Sequence, residues 1–151
     1  MTKVRDFITV AVMLGVWSAS SGPCHADDGF IIRDGAGRRV ETIQPGTGGV
    51  MVHRDADGRR IGTTEPGSAG RLIERDAQGR RTGTVEPGSG GKLVLRDEQG
   101  RRTGTTERSS NGDIIVRDDL GRRTRIITPG SGGQQTIRDA AGRRVGTIDA
   151  R

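Results

Sequence analysis

An Arg-Asp dipeptide recurs six times in this chain at a constant spacing of 21 residues, from Arg33-Asp34 to Arg138-Asp139. No insertion or deletion interrupts that spacing. A constant short period indicates one supersecondary unit stacked on copies of itself. The chain therefore predicts six similar units, in which the polar residues of the motif form regular rows. The repeats run near 28–48, 49–69, 70–90, 91–111, 112–132 and 133–151.

Each repeat has the pattern of a β-hairpin. In the third repeat, residues 76–79 read Asp-Ala-Gln-Gly, a turn signal, because Asp accepts backbone N–H bonds and Gly adopts positive φ. The flanks are rich in β-branched residues, and Pro-Gly at 87–88 marks a second turn. The predicted turn residues of the six hairpins are Asp34, Gly37, Asp55, Gly58, Asp76, Gly79, Asp97, Gly100, Asp118, Gly121, Asp139 and Gly142.

A three-residue hairpin loop with Gly79 at positive φ predicts the strand register. It places Arg75 opposite Arg81 and Leu72 opposite Thr84. Leu72 then marks the more apolar face, while two opposed arginines on the other face repel each other and require an anion. The apolar counterparts of Leu72 are Phe30, Met51, Leu93 and Ile114. The candidate anions are Glu65, Glu86, Glu107, carboxylates of a neighbouring repeat, or an external polyanion.

These units predict an all-β fold at 27–151, with six tandem hairpins in an antiparallel meander. We expect an open repeat stack or β-roll, and a closed up-and-down barrel is the alternative. An open stack exposes two sheet edges, through which copies of the chain could self-associate. A disordered, Gly/Arg-rich secreted segment is a further alternative, since the chain has only 2% aromatic residues to build a core.

The first 26 residues have the pattern of a cleaved secretory signal. A basic start precedes an apolar run at 7–17, which is too short to span a bilayer, and small residues stand before Asp27. A lipoprotein signal acylated at Cys24 and an uncleaved apolar N-terminus are the alternatives. Cleavage predicts a periplasmic or secreted protein with no membrane span and no cysteine.

The Asp-x-x-Gly-Arg turn at a period near twenty resembles the YD or RHS-type repeat. The matching residues begin with Asp34, Gly37 and Arg38 and continue to Asp139, Gly142 and Arg143. The resemblance implies that each repeat adds one hairpin to a spiralling β-sheet. The chain departs from that family systematically, because arginine replaces the family's tyrosine and also its aliphatic residue after Gly-Arg.

The sequence predicts no catalytic, cofactor or metal site. His53 is expected on a strand surface, and one histidine without cysteine makes no zinc site. Asp55 and Asp57 resemble the start of a calcium loop but lack its downstream ligands. No histidine is placed to activate a nucleophile, so we expect a non-enzymatic protein.

Six arginine pairs are the main functional signal. They follow the hairpin turns, and a row of them could bind phosphate or sulfate groups. Alternatively, Asp and Glu within the array neutralise them. We expect an exported structural or macromolecule-binding scaffold of the cell envelope or extracellular space. Its partner would be an anionic polysaccharide, a lipopolysaccharide or an envelope protein, and not a specific nucleic acid, since stacking aromatics are missing. The candidate polyanion-binding residues are Arg38, Arg39, Arg59, Arg60, Arg80, Arg81, Arg101, Arg102, Arg122, Arg123, Arg143 and Arg144.

Overall fold

The computed structural model describes residues 29–151, so the predicted signal at 1–26 lies outside the described residues. The described part is all-β, as predicted, and consists of six consecutive antiparallel hairpins. We number these hairpins 1 to 6 in chain order. The strands are β1 (Phe30–Asp34), β2 (Arg39–Pro45), β3 (Met51–Asp55), β4 (Arg60–Pro66), β5 (Leu72–Asp76), β6 (Arg81–Pro87), β7 (Leu93–Asp97), β8 (Arg102–Arg108), β9 (Ile114–Asp118), β10 (Arg123–Pro129), β11 (Gln135–Asp139) and β12 (Arg144–Ala150).

The sheet closes on itself, because β1 pairs with β12 as well as with β2. The predicted meander is confirmed in its alternative form, the closed barrel, and the open stack is wrong. The disordered alternative is also wrong for residues 29–151. Since every described strand has two neighbours, no sheet edge in this part of the chain is free for self-association.

The register explains the closure. Leu72 lies opposite Val85, and Val85 lies opposite Leu95 on the next strand. The repeat equivalent of Leu72 is Leu93, so each hairpin advances the register by two residues. This register shift has the same direction in every hairpin. It therefore tilts the strands relative to the barrel axis and lets the sheet curl until its two end strands meet.

The turn geometry matches the prediction, but the register beyond it does not. Gly79 has φ 82°, and the Asp76 N–H donates to the Arg80 carbonyl at 2.9 Å. Arg75 lies opposite Arg81, as expected. The ladder then shifts by one residue at a β-bulge. Leu72 therefore lies opposite Val85, and the predicted pairing of Leu72 with Thr84 is wrong because the bulge adds one residue to β6.

The barrel interior contains one continuous aliphatic cluster. Leu72 and Ile114 are buried in it, and Phe30, Met51 and Leu93 pack against it, so the apolar face was predicted correctly along the first strand of each hairpin. On the second strand the bulge brings the Val85 row inward. The buried hydrophobic residues are Ile32, Ile43, Leu72, Val85, Leu95, Ile114, Val116, Ile127, Ile137 and Ile148.

The two ends of the barrel differ. The Asp-x-x-Gly turns form one end of the barrel. We call these turns, together with the Arg-Arg pair that follows each of them, the tip rim. The longer connections form the loop end, where short 3-10 turns at 47–49, 68–70, 89–91 and 131–133 follow Pro-Gly. No helix within residues 29–151 is long and apolar enough to cross a membrane.

Candidate functional site

Three arginines from each hairpin converge on the tip rim, and the first of them belongs to the Arg-Asp motif. In all six hairpins its Nη1 donates to the carbonyl of the turn glycine, at 3.0 to 3.2 Å. This bond ties the tip of the hairpin to the barrel wall. The six residues, which we call the wall arginines, are Arg33, Arg54, Arg75, Arg96, Arg117 and Arg138.

Four wall arginines also bind a carboxylate of the preceding strand. Arg75 Nε lies 2.6 Å from a Glu65 oxygen, and Arg33 lies 3.1 Å from Asp149 across the seam between β1 and β12. The candidate anions Glu65, Glu86 and Glu107 are therefore the true partners, although they lie in strands and not in loops. The other two pairs of this kind are Arg96–Glu86 and Arg117–Glu107.

The first arginine of the tip pair folds back onto its own turn in five of the six hairpins. Arg38 lies 2.8 Å from Asp34, and four other hairpins repeat this ion pair. The backbone N–H of Arg38, above all, and the Arg38 guanidinium hold the pKa of Asp34 below its usual value against the opposing effect of desolvation. Asp139 has a lowered pKa for the same reasons, with the Arg143 N–H as the largest. Both aspartates stay ionised near neutral pH and neutralise much of the adjacent arginine charge.

The second arginine of the tip pair links neighbouring hairpins in four of the six cases. Arg39 Nη2 donates to the Ala56 carbonyl on the next tip at 2.7 Å. Arg81, Arg102 and Arg123 make the equivalent bond at 2.9 to 3.3 Å. These side chains are exposed, and one bond to a neutral carbonyl leaves most of their five donors directed to solvent. The predicted arginine row is thus bent into a ring.

Hairpins 2 and 6 depart from this pattern. Within residues 29–151, the side chains of Arg60 and Arg144 make no hydrogen bond or ion pair. Arg59 lacks the ion pair to its turn aspartate that its counterparts make. The wall arginines of these two hairpins, Arg54 and Arg138, also lack a carboxylate, because Gln44 and Thr128 stand where other repeats have Glu.

A cleft of about 510 Å³ opens at the barrel mouth between hairpins 3 and 5. Its lining mixes carboxylates with arginines and threonines, so its charge is nearly balanced. The lining side chains include Glu74, Leu95, Asp97, Arg101, Thr103 and Asp118. An anion would meet several carboxylates there, so the cleft is a poorer anion site than the outer rim.

His53 is buried in the barrel, and its expected surface position is wrong. Its Nδ1 lies 2.9 Å from a Glu41 carboxylate oxygen, and its Nε2 lies 3.0 Å from the Thr64 hydroxyl. All three side chains are buried, so the Thr64 hydroxyl is not accessible to a substrate in this conformation. Sequence reasoning missed the cluster. The available signal was two breaks in the repeat, since Glu41 replaces a glycine and His53 replaces an aliphatic residue such as Leu95.

Comparisons with known proteins identify no family for this chain. No family model matches it, and no curated protein matches it. A solved structure of an alternansucrase in complex with isomaltononaose matches 76% of this chain, at 14% identity and a TM-score of 0.22. The match covers 12% of the alternansucrase chain, and at this TM-score it carries no argument. The resemblance to YD or RHS-type repeats stays a prediction.

Proposed function

We propose that this protein is an exported, non-enzymatic β-barrel scaffold that binds an anionic polymer, such as an acidic polysaccharide, through its tip rim. The observation that carries the proposal is the ring of exposed second arginines on a closed barrel. They are spread around one end at a hairpin spacing of about 10 Å, since neighbouring strands lie about 4.8 Å apart. A polymer with repeated charged groups can contact several of them at once.

The internal bonds of the rim favour binding over a purely structural role for these arginines. The wall arginines and the first arginines are held mainly by carboxylates, which compete with any ligand. The second arginines are held only by neutral carbonyls, so an external sulfate or carboxylate can bind them without displacing an ion pair. Their planar guanidinium groups can form paired hydrogen bonds with such groups.

The non-enzymatic and exported parts of the proposal have separate support. The one carboxylate–imidazole–hydroxyl cluster found within residues 29–151 is buried in the core. Export is inferred from the basic start, apolar run and small residues that precede Asp27. N-terminal sequencing of the protein recovered from outside the cytoplasm should begin at Asp27, and recovery of the intact chain from the cytoplasm alone would contradict export.

The binding proposal is tested with immobilised heparin, a sulfated polysaccharide. We expect the wild-type chain to bind at low salt and to elute as salt rises, by analogy with counterion release from nucleic acids. The triple variant Arg39→Gln, Arg81→Gln and Arg123→Gln should elute at lower salt. The slope of log affinity against log salt should fall by roughly one unit for each arginine that contacts the polymer.

The loop end supplies a control with the same loss of charge. Arg71→Gln, Lys92→Gln and Arg108→Gln also remove three positive charges, but from the loop end and not from the Arg-Arg pairs. Glu86 and Glu107 keep their other ion pairs in that variant, with Arg96 and Arg117. We expect its elution to stay close to wild type. Equal losses in the two triple variants would contradict a binding site at the rim, and so would elution that does not depend on salt.

A further inference from the structure

The charge of the tip rim is uneven around the ring. For each hairpin we count the three arginines and the acidic residues of the turn. We also count the acidic residue ten positions before the wall arginine, which for hairpin 1 is replaced by Asp149 across the seam. Hairpins 3, 4 and 5 have nine arginines and eight such carboxylates. Hairpins 6, 1 and 2 have nine arginines and only five carboxylates. The five are Asp34, Asp55, Asp57, Asp139 and Asp149.

Two kinds of substitution produce this difference. The first residue after the turn aspartate is acidic in hairpins 4 and 5, as Glu98 and Asp119, but it is Gly35 in hairpin 1 and Ala140 in hairpin 6. In addition, Gln44 and Thr128 remove the carboxylates that would neutralise Arg54 and Arg138. Hairpin 6 thus lacks acidic residues both after the turn aspartate and on the wall, whereas hairpin 1 lacks one only at the turn and hairpin 2 only on the wall.

Closure of the barrel makes these hairpins contiguous. Hairpins 6 and 1 lie at opposite ends of the repeat array, but pairing of β12 with β1 places them side by side. Hairpin 2 follows hairpin 1 through the pairing of β2 with β3. The two second arginines that make no internal bond, Arg60 and Arg144, flank hairpin 1 on its two sides. In an open array, the four other hairpins would lie between hairpin 1 and hairpin 6.

We propose that an anionic polysaccharide docks on the sector formed by hairpins 6, 1 and 2, and that the sector of hairpins 3, 4 and 5 contributes little. This inference rests on the proposed binding by the tip rim and assigns the site within it. Arg60 and Arg144 provide unengaged guanidinium groups, and Arg39 lies between them with one bond to a carbonyl. Sulfate or carboxylate groups of the polymer bind there without meeting the acidic turns of hairpins 4 and 5.

Two double variants with equal loss of charge test the sector. Arg60→Gln with Arg144→Gln removes the two unengaged arginines, and Arg81→Gln with Arg102→Gln removes their counterparts on the other side of the ring. With heparin of defined length as the probe, titration calorimetry at fixed salt should give at least a tenfold loss of affinity for the first variant. The second variant should lose less than about threefold, since acidic turns already weaken that sector.

A second test exchanges the residue directly after the turn aspartate between the two sectors. Each substitution introduces a residue that another hairpin already has at this position. Ala140→Glu gives hairpin 6 the acidic turn of hairpin 4 and should weaken heparin binding severalfold. Glu98→Ala with Asp119→Ala gives hairpins 4 and 5 the neutral turn of hairpin 6 and should strengthen it. Since the turn geometry is shared, these variants are expected to fold like wild type, which circular dichroism verifies.

The failures of the two proposals are distinguishable. Equal loss of affinity in the two arginine variants overturns the sector and leaves the ring proposal intact. Unchanged affinity in both variants, together with unchanged elution of the triple rim variant, overturns both proposals. Tighter binding to phosphatidylglycerol vesicles than to heparin at the same salt overturns the polysaccharide as the partner.

Discussion

The tip rim and the barrel interior carry the same six-fold repeat in different ways. At the rim, the wall arginine, the turn aspartate, the turn glycine and the arginine pair recur in every hairpin. In the interior, the row that contains Ile32 holds five different residue types at its six positions. It reads Ile32, His53, Glu74, Leu95, Val116 and Ile137. Rim residues make contacts within one hairpin or with its neighbour, whereas interior residues all share one volume.

This difference follows from closure. A hairpin in an open stack would bury its side chains only against adjacent copies, so identical copies would suffice. In a closed barrel, side chains from all sides meet in one core, which must be filled at high density. A large residue in one hairpin therefore requires a smaller one elsewhere. Thr64 replaces an aliphatic residue beside His53 and also accepts or donates its hydrogen bond.

The largest expected effect tests whether the interior depends on such complementarity. His53→Leu introduces the residue of hairpin 4 at this position but leaves the Glu41 carboxylate buried without its partner. We expect a loss of about 3–5 kcal/mol in the free energy of unfolding, because removing one member of a buried carboxyl–imidazole pair leaves the other without its partner. Urea denaturation followed by circular dichroism measures it.

The double variant Glu41→Gly with His53→Leu is the matched control for that change. Glycine stands at the equivalent of Glu41 in four hairpins, at Gly62, Gly83, Gly104 and Gly146. The double variant should therefore recover most of the lost stability. If it is as unstable as His53→Leu alone, the penalty comes from packing of the leucine and not from the unpaired carboxylate.

A smaller effect is expected at the rim, where it tests whether all hairpins are equivalent. Gly79 in hairpin 3 and Gly142 in hairpin 6 have φ of 82° and 83°, and a Cβ would meet no atom within 4 Å at either position. Valine at either site should cost about 1–3 kcal/mol, because a β-branched residue is strained at positive φ. We expect equal thermal shifts for the two variants, since hairpin 6 has two neighbours. A much smaller shift for Gly142→Val would contradict closure.

The sequence was sufficient to predict the hairpins because their determinants are local. The turn of residues 76–79 and the opposition of Arg75 and Arg81 depend on residues within one repeat, and both were predicted correctly. The acidic partners Glu65, Glu86 and Glu107 were also among the candidates, although they were expected in loops and not in strands.

Closure could not be predicted because it depends on a small register shift in each hairpin, and these shifts add up around the sheet. The bulge beyond Arg81 shifts the register by one residue, and no residue type there signals it, since that position holds Val, Ile or Thr in different hairpins. The stagger that follows becomes visible only when the path around all twelve strands is traced. The buried position of His53 was missed because one histidine on a strand suggests no partner until β2, β3 and β4 are placed side by side.

The smallest expected effect concerns the seam between β12 and β1, where the rim and the closure meet. Asp149 is the sixth member of the row of Glu65, Glu86 and Glu107, and it binds Arg33 across the seam at 3.1 Å. It also accepts a hydrogen bond from Gln134.

Asp149→Thr introduces the residue of hairpin 5 at this position and should cost only about 0.2–1 kcal/mol, because the pair is partly exposed. Glu65→Thr makes the same change within the barrel, at the pair with Arg75. Since the backbone ladder joins β12 to β1 over five residue pairs, as it does β4 to β5, equal losses of stability in urea are expected for the two variants. A loss several times larger for Asp149→Thr would mean that the seam depends on this one ion pair, and that the barrel opens there first.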